Sequence, residues 1–134
     1  MPTFNGTAGD DTLSGGRGAD TLDGDYDDDV LSGGDGADLL MDRYGLNTYT
    51  GGRGADIFQV GSDYYQTTRW TITDFDASID RFDLHSAKRF QSLTEADLNG
   101  DGRTDTRLVL DGDSDVIALG VAGLTLAEWN DLIV

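Results

Sequence analysis

The sequence predicts an all-β protein: a stack of very short strands over residues 1–59, then a β-rich cap over residues 60–134, the two forming one continuous body. Two observations point there. From Gly6 to Gln59 the chain divides into six consecutive nine-residue units. From Val60 onward that glycine-rich pattern gives way to aromatic and β-branched segments separated by Asp/Gly turns. Three units are nearly identical: GGRGADTLD from Gly15, GGDGADLLM from Gly33 and GGRGADIFQ from Gly51. Two columns fix the phase. The sixth position holds Asp11, Asp20, Asp29, Asp38, Asn47 and Asp56, and the eighth holds Leu13, Leu22, Leu31, Leu40, Tyr49 and Phe58.

Residues 6–59 contain 13 of the 19 glycines and no helical period. Each unit alternates a Gly/Asp turn with a strand centred on its eighth-position apolar residue, too short to hold a sheet alone, so the units must stack. An unbroken apolar column argues against the alternative, a disordered Gly/Asp linker. The formal net charge is −17, and every acidic residue except Glu95 and Glu128 is Asp. Short Asp side chains suit tight turns and reach a hard cation held close to the backbone. So many carboxylates in a compact body repel one another unless counter-charge is bound, so the ion-free chain is expected to be loosely folded or unfolded. The nine basic residues form no patch or stripe, which excludes a nucleic-acid partner. With no cysteine, disulfides and thiolate metal sites are excluded. The opening MPTFNGTAGDD lacks a basic segment and an apolar run, so neither an ordinary signal peptide nor stable membrane insertion is expected.

The second half carries four segments that read as strands: Arg69-Trp70-Thr71-Ile72, Arg81-Phe82-Asp83-Leu84, Arg107-Leu108-Val109-Leu110 and Val116-Ile117-Ala118-Leu119. Two short helices are expected, one opening at Thr94. The other starts at Thr125, where Thr125-Leu126-Ala127-Glu128 has capping-box spacing and would carry Trp129, Leu132 and Ile133 inward. Between these lies a second oxygen-rich pattern. Asp97, Asn99, Asp101 and Asp105 stand at positions 1, 3, 5 and 9 of a loop with Gly102 at position 6, a calcium-loop spacing in which Arg103 would contribute its carbonyl. The alternative is an Asp/Asn/Gly hairpin that needs no metal. Asp111-Gly112-Asp113-Ser114-Asp115 reads as a plain turn.

The nonapeptide G-G-x-G-x-D-x-U-x, with U a large apolar residue, is identified as the calcium-binding repeat of the repeats-in-toxin family. The second half, through Ile72-Thr73-Asp74-Phe75, Asp80-Arg81-Phe82-Asp83-Leu84, the loop at Asp97 and the terminal Asp131-Leu132-Ile133-Val134, resembles the C-terminal part of secreted members. Among these are serralysin-type metalloproteases and the repeat modules of bacterial mannuronan C5-epimerases. The resemblance implies a right-handed parallel β-roll of about three coils, two nonapeptides each, so that units eighteen residues apart lie over one another. One face then stacks Asp20, Asp38 and Asp56, and the other stacks Asp11, Asp29 and Asn47.

The same resemblance implies about four to six Ca2+ ions, each held between successive turns of one face by backbone carbonyls and sixth-position carboxylates. The ligand set carried over is Gly6, Ala8 and Asp11; Gly15, Arg17, Gly18 and Asp20; Gly24, Tyr26 and Asp29; Gly33, Asp35, Gly36 and Asp38; and Gly51, Arg53 and Asp56. Asp29 with Asn47 is the weak pair, since an amide lacks the charge. Asp74-Phe75-Asp76 resembles a segment that follows the repeats in this family and would help hold a last ion. The terminal tetrad resembles the ending of proteases exported by type I secretion, and it equally suits the end of an amphipathic helix.

No H-E-x-x-H, Gly-x-Ser-x-Gly or phosphate-cradling loop occurs, and His85, the sole histidine, cannot build a zinc triad and is expected on the surface or in the cap. The expected function is therefore non-catalytic: a secreted, extracellular calcium module that supports folding and type I export, alone or at the end of a larger enzyme. A second expectation is a module for an acidic, alginate-like polysaccharide, with Tyr26 and Tyr44 one coil apart as an aromatic strip. Their alternative is a plain tyrosine ladder, as Arg17, Asp35 and Arg53 would form a surface ion-pair ladder. A calcium-rigidified adhesin fragment is the third.

Overall fold

A computed structural model describes residues 1–61, 68–84, 89–110 and 114–134. Strands β1 (Thr3–Asn5), β3 (Thr21–Asp23), β5 (Leu39–Met41), β7 (Ile57–Val60) and β9 (Arg81–Leu84) form one sheet in that order. A second sheet has seven strands. It runs β10 (Ser92–Ala96), β11 (Asp105–Val109), β12 (Asp115–Ala118), β8 (Arg69–Ile72), β6 (Leu46–Arg53), β4 (Val30–Asp35) and β2 (Thr12–Arg17). All pairings among the repeat strands are parallel, with Leu13 opposite Leu31, Leu31 opposite Tyr49, Leu22 opposite Leu40 and Leu40 opposite Phe58. Each step is the eighteen residues of two nonapeptides, so the chain is a parallel β-roll.

The period-2 pleat leaves one inward residue in each three-residue repeat strand, and β7, one residue longer, adds Val60 to Phe58. Leu22, Leu40 and Phe58 from the first sheet face Leu31 and Tyr49 from the second, all at 0% exposure. A strand with a single buried apolar residue contributes about 1.5–3 kcal/mol from that side chain, which explains why no coil is stable without neighbours.

Both sheets run on past Gln59. Strand β8 stacks on β6 with Tyr49 opposite Ile72, and β9 stacks on β7 with Phe58 opposite Phe82. A further coil thus follows the repeats, outside their sequence period. At the other end Phe4 lies opposite Leu22 and extends the same column. Beyond β8 the sheet changes character: β12 adds in parallel, then β11 and β10 pair antiparallel.

Thr94 does not open a helix. It lies in β10 opposite Arg107, because the Asp97–Asp105 loop folds the chain back on itself and pairing with β11 decides the conformation of this β-branched residue. The other expected helix is present as α1 (Leu126–Asp131). Thr125 caps it, and Glu128 closes a reciprocal capping box. Trp129 is fully buried, while Leu132 and Ile133 pack partly buried against the same core. Phe75, Phe82, Phe90 and Trp129 form an aromatic cluster under Phe58, with Phe75 stacked on Phe82 at 4.7 Å between ring centroids. The C-terminus joins the first sheet: Ile133 bridges Phe82, and Val134 donates its N–H to the Phe82 carbonyl at 2.7 Å.

Candidate calcium site

The turns between strands place each sixth-position Asp at the corner of a coil, where its carboxylate does two different things. One oxygen joins coil to coil: Asp20 N–H donates to Asp38 Oδ1 at 2.7 Å, and Asp38 N–H donates to Asp56 Oδ1 at 2.9 Å. On the other face Asp11 N–H donates to Asp29 Oδ1 at 2.7 Å, and Asp29 N–H donates to Asn47 Oδ1 at 2.9 Å. The second oxygen of Asp11 accepts from the Thr7 N–H and hydroxyl, but at the other sixth-position Asp residues of the repeats it has no donor. Oδ2 of Asp20, Asp29, Asp38, Asp42 and Asp56 is buried and unpartnered, and so is Oδ1 of Asp20. A buried polar group without a partner costs several times what an ordinary hydrogen bond contributes, and a charged one costs more.

The glycines show where these oxygens converge. A Cβ built on Gly15 would lie 2.6 Å from Asp20 Oδ2 and 2.6 Å from the Gly33 carbonyl oxygen of the next coil. On Gly33 it would meet Asp38 Oδ2 and, at 2.6 Å, the Gly51 carbonyl oxygen; on Gly6 it would meet the Gly24 carbonyl oxygen and Asp11 Oδ2. The first-position glycines therefore leave open a space lined by one carboxylate oxygen of their own turn and one carbonyl of the turn above. Such an all-oxygen, partly anionic space fits a hard cation of the calcium type. Among the described residues no three His, Cys, Asp or Glu side chains converge, so backbone carbonyls would have to complete the coordination. Held there, calcium would supply positive charge to carboxylates that otherwise face one another across coils, and Gly15, Gly33, Gly51, Asp20, Asp38 and Asp56 would hold it.

The other expected ligand positions divide by location. Gly18 and Gly36 have positive φ (98° and 152°), and a Cβ on Gly36 would collide with the Gly18 carbonyl oxygen, so the fourth-position glycines permit close stacking of turns. The third-position residues Ala8, Arg17, Tyr26, Asp35 and Arg53 are exposed on the outside of the turns. The carbonyls of Asp35 and Arg53 already accept from Gly18 and Gly36 N–H at 2.7 Å, leaving one lone pair each.

Burial raises the Asp29, Asp38 and Asp80 carboxyls above the ordinary carboxylate range, and it pushes Asp56 up to about 6. Asp42 rises to about 9, through burial first and then the facing Asp29. In each case burial disfavours the charged form, which a bound cation would restore.

Two carboxylates of the stack, Asp42 and Asp80, are not among the ligands expected from sequence, whereas Asp74 is the residue expected to help hold a last ion. Asp80 accepts from Asp56 N–H at 2.9 Å and from Asp76 N–H at 2.8 Å, so it fills the sixth-position corner of the added coil. The signal was present, since Asp80 precedes Phe82 by the same spacing as Asp56 precedes Phe58. Asp74 accepts from Gly51 and Gly52 N–H, both at 2.8 Å, and closes the end of the strong face.

In the second motif, Asp97 accepts from Gly100, Asp101 and Gly102 N–H at 2.7, 3.1 and 3.0 Å, and Asp101 accepts from Arg103 N–H at 2.8 Å and from Asn99 Nδ2 at 3.1 Å. Asp105 is fully buried and takes Leu98 N–H at 2.9 Å and Gly120 N–H at 2.7 Å, tying the loop to the segment after β12. The backbone thus holds this loop in shape, with Asp97, Asn99, Asp101 and Arg103 exposed. Asp115, at the end of the expected plain turn, is instead a buried ion-pair centre, held by Arg69 Nε at 2.8 Å and by Arg107. Asp111 to Asp113 and His85 lie outside the described residues. Tyr26 and Tyr44 stack with ring centroids 5.4 Å apart, and the Arg43 guanidinium lies 5.6 Å from the Tyr26 ring centre.

Residues 5–40 match the family model of the RTX calcium-binding nonapeptide repeat, in four copies. Among solved structures, the chain is similar to the AlgE6R3 subunit of the Azotobacter vinelandii mannuronan C5-epimerase. The TM-score is 0.66 at 28% identity, over 96% of this chain and 80% of that one. The extracellular lipase LipA of Serratia marcescens aligns over 100% of this chain and 40% of its own, at 13% identity and a TM-score of 0.45, a likeness too slight to bear on function. No curated protein matches the chain.

Proposed function

We propose, from the premise that this chain carries RTX calcium-binding nonapeptide repeats, that it is a non-catalytic module that folds when it meets extracellular calcium and so supports export and folding of a secreted protein. The observation that carries this reading is the column of buried, unpartnered carboxylate oxygens at Asp20, Asp38 and Asp56. At −17 overall, a chain with such a column resists compaction until cations neutralise it. Where calcium is scarce it stays extended enough to thread through a type I exporter. Outside, ions near the roughly 10⁻⁴–10⁻³ M affinity of extracellular modules drive folding. Each independent site adds about 2.7 kcal/mol at a hundredfold excess over its dissociation constant, so a few ions decide the fold. Far-UV circular dichroism tests it. The chain should be largely unstructured in chelator and β-rich in millimolar calcium, and equal β-structure in both would reject the reading.

A second reading has its own support in the likeness to an epimerase repeat subunit and in the Tyr26–Tyr44 stack, in which Tyr26 is exposed and Tyr44 half-buried, an aromatic pair suited to a sugar ring. In that reading the module presents an acidic polysaccharide to a partner enzyme. Titration with oligouronate in saturating calcium, followed through the Tyr26 and Tyr44 signals, distinguishes the two. Unmoved signals would leave the stack as structure alone.

A further inference from the structure

The fifth nonapeptide departs from the pattern twice. It carries Asp42 where the other five units have glycine at the first position, and Asn47 where they have Asp at the sixth. The two changes are opposite in charge: one corner loses a carboxylate and the other gains one. The fold brings both to the same turn, above the turn of Gly24 to Asp29.

On the opposite face, the space beside a first-position glycine is lined by its own Asp and by a carbonyl of the next coil. Beside Gly24 the arrangement differs. The atoms that a Cβ there would meet are Asp29 Oδ2 and Asp42 Oδ2, so a second carboxylate stands where Gly33 and Gly51 offer a carbonyl. Asp29 is 0% exposed and Asp42 is 7% exposed, and neither Oδ2 has a donor. Their other oxygens are anchored, Asp29 Oδ1 by Asp11 N–H at 2.7 Å and Asp42 Oδ1 by Tyr44 N–H at 2.9 Å. Asn47 Oδ1 accepts from Asp29 N–H, so the amide keeps the coil-to-coil bond of the ladder and gives up only the charge.

Two carboxylate oxygens that face each other away from water repel strongly unless a cation or a shared proton lies between them. We propose that Asp29 and Asp42 form a calcium site on the degenerate face, with the Asp42 side chain supplying the charge and the oxygen that Asn47 and a first-position carbonyl do not. The site then has two carboxylates, as does the pair Asp38 and Asp56 across the roll. This face is thereby a rebuilt half of the ion ladder.

The inference rests on the calcium reading, and the test separates the two. Bound calcium per chain would be measured by equilibrium dialysis at saturating calcium and neutral pH. Wild type would be compared with Asp42→Asn and with the double exchange Asp42→Gly/Asn47→Asp, which restores the common pattern. Asp42→Asn should bind one ion fewer, and the double exchange should recover the wild-type number. An Asp42→Asn chain with the wild-type count and affinity would overturn the site and leave a shared proton in its place, with the parent reading intact. A wild-type chain that binds no calcium would overturn both. If Asp42→Asn does not fold, calcium-bound wild-type crystals decide: an anomalous-difference peak between Asp29 and Asp42 supports the site, and its absence refutes it.

Discussion

Asp56 donates its backbone N–H to the Asp80 carboxylate at 2.9 Å, the same bond that Asp38 donates to Asp56, although the first pair is 24 residues apart and the second 18. The ladder of carboxylates thus outlasts the repeat that produced it. Removing Asp80 leaves the buried Asp56 N–H unpaired, so Asp80→Ala should cost about 1–3 kcal/mol. Thermal denaturation in saturating calcium measures this; an unchanged midpoint would show that the added coil bears no load.

Gly33 and Gly16 should respond differently to a methyl group. A Cβ on Gly33 would enter the space lined by Asp38 Oδ2 and the Gly51 carbonyl, whereas on Gly16 it meets nothing within 4 Å and suffers only its φ of 109°. Gly33→Ala should lower the calcium stoichiometry and raise the concentration needed for folding. Gly16→Ala should keep every ion while losing about 1–2 kcal/mol of stability. Isothermal titration of both variants, with equal losses of calcium, would contradict this assignment.

Acid should partly substitute for calcium. Burial raises Asp56 to about 6, against an ordinary 3.8, and Asp42 to about 9. A carboxyl raised in the folded state binds its proton more tightly there than in the unfolded chain. Its contribution to the ion-free fold is therefore complete below about pH 4 and is lost as pH rises through 6 for Asp56 and 9 for Asp42. In chelator, far-UV circular dichroism should show β-structure increasing as pH falls from 7 to 5. Calcium affinity should weaken over the same interval, since protons and ions compete for one carboxylate. A loss of structure on acidification would run against these shifts.

Asp115 joins three strands through Arg69 and Arg107. Asparagine keeps its size and removes its charge, so Asp115→Asn should destabilise the cap by about 1.5–3 kcal/mol, the range for hydrogen bonds to a charged group. Calcium binding by the repeats should be spared. Hydrogen exchange that accelerates in β8, β11 and β12 before the repeat strands would locate the loss as expected.

Local pattern made much of this legible. The sixth- and eighth-position columns from Asp11 to Phe58 specify corner and core because a coil has one inward residue per strand, and Thr125 with Glu128 specifies a helix start by local hydrogen bonds alone. Where partners are set by stacking, the pattern falls silent. Asp80 stands off the nine-residue period because the segments before β8 and β9 are longer than a repeat turn, so its one sequence signal is the two-residue spacing to Phe82, and the folded register is what puts it under Asp56. Thr94 has the look of a helix cap, and antiparallel pairing with Arg107 overrides it. Asp42 reads in sequence as a decayed glycine. Its meaning depends on Asp29, one coil away.

The most direct test of the central claim is a crystal structure grown in millimolar calcium with anomalous data. Peaks should lie between successive coils, about 2.3–2.6 Å from the Asp20 and Asp38 carboxylates and from carbonyls of the facing glycine turns. Side chains of Asp20, Asp38 and Asp56 turned into solvent, with no peak between the coils, would contradict it.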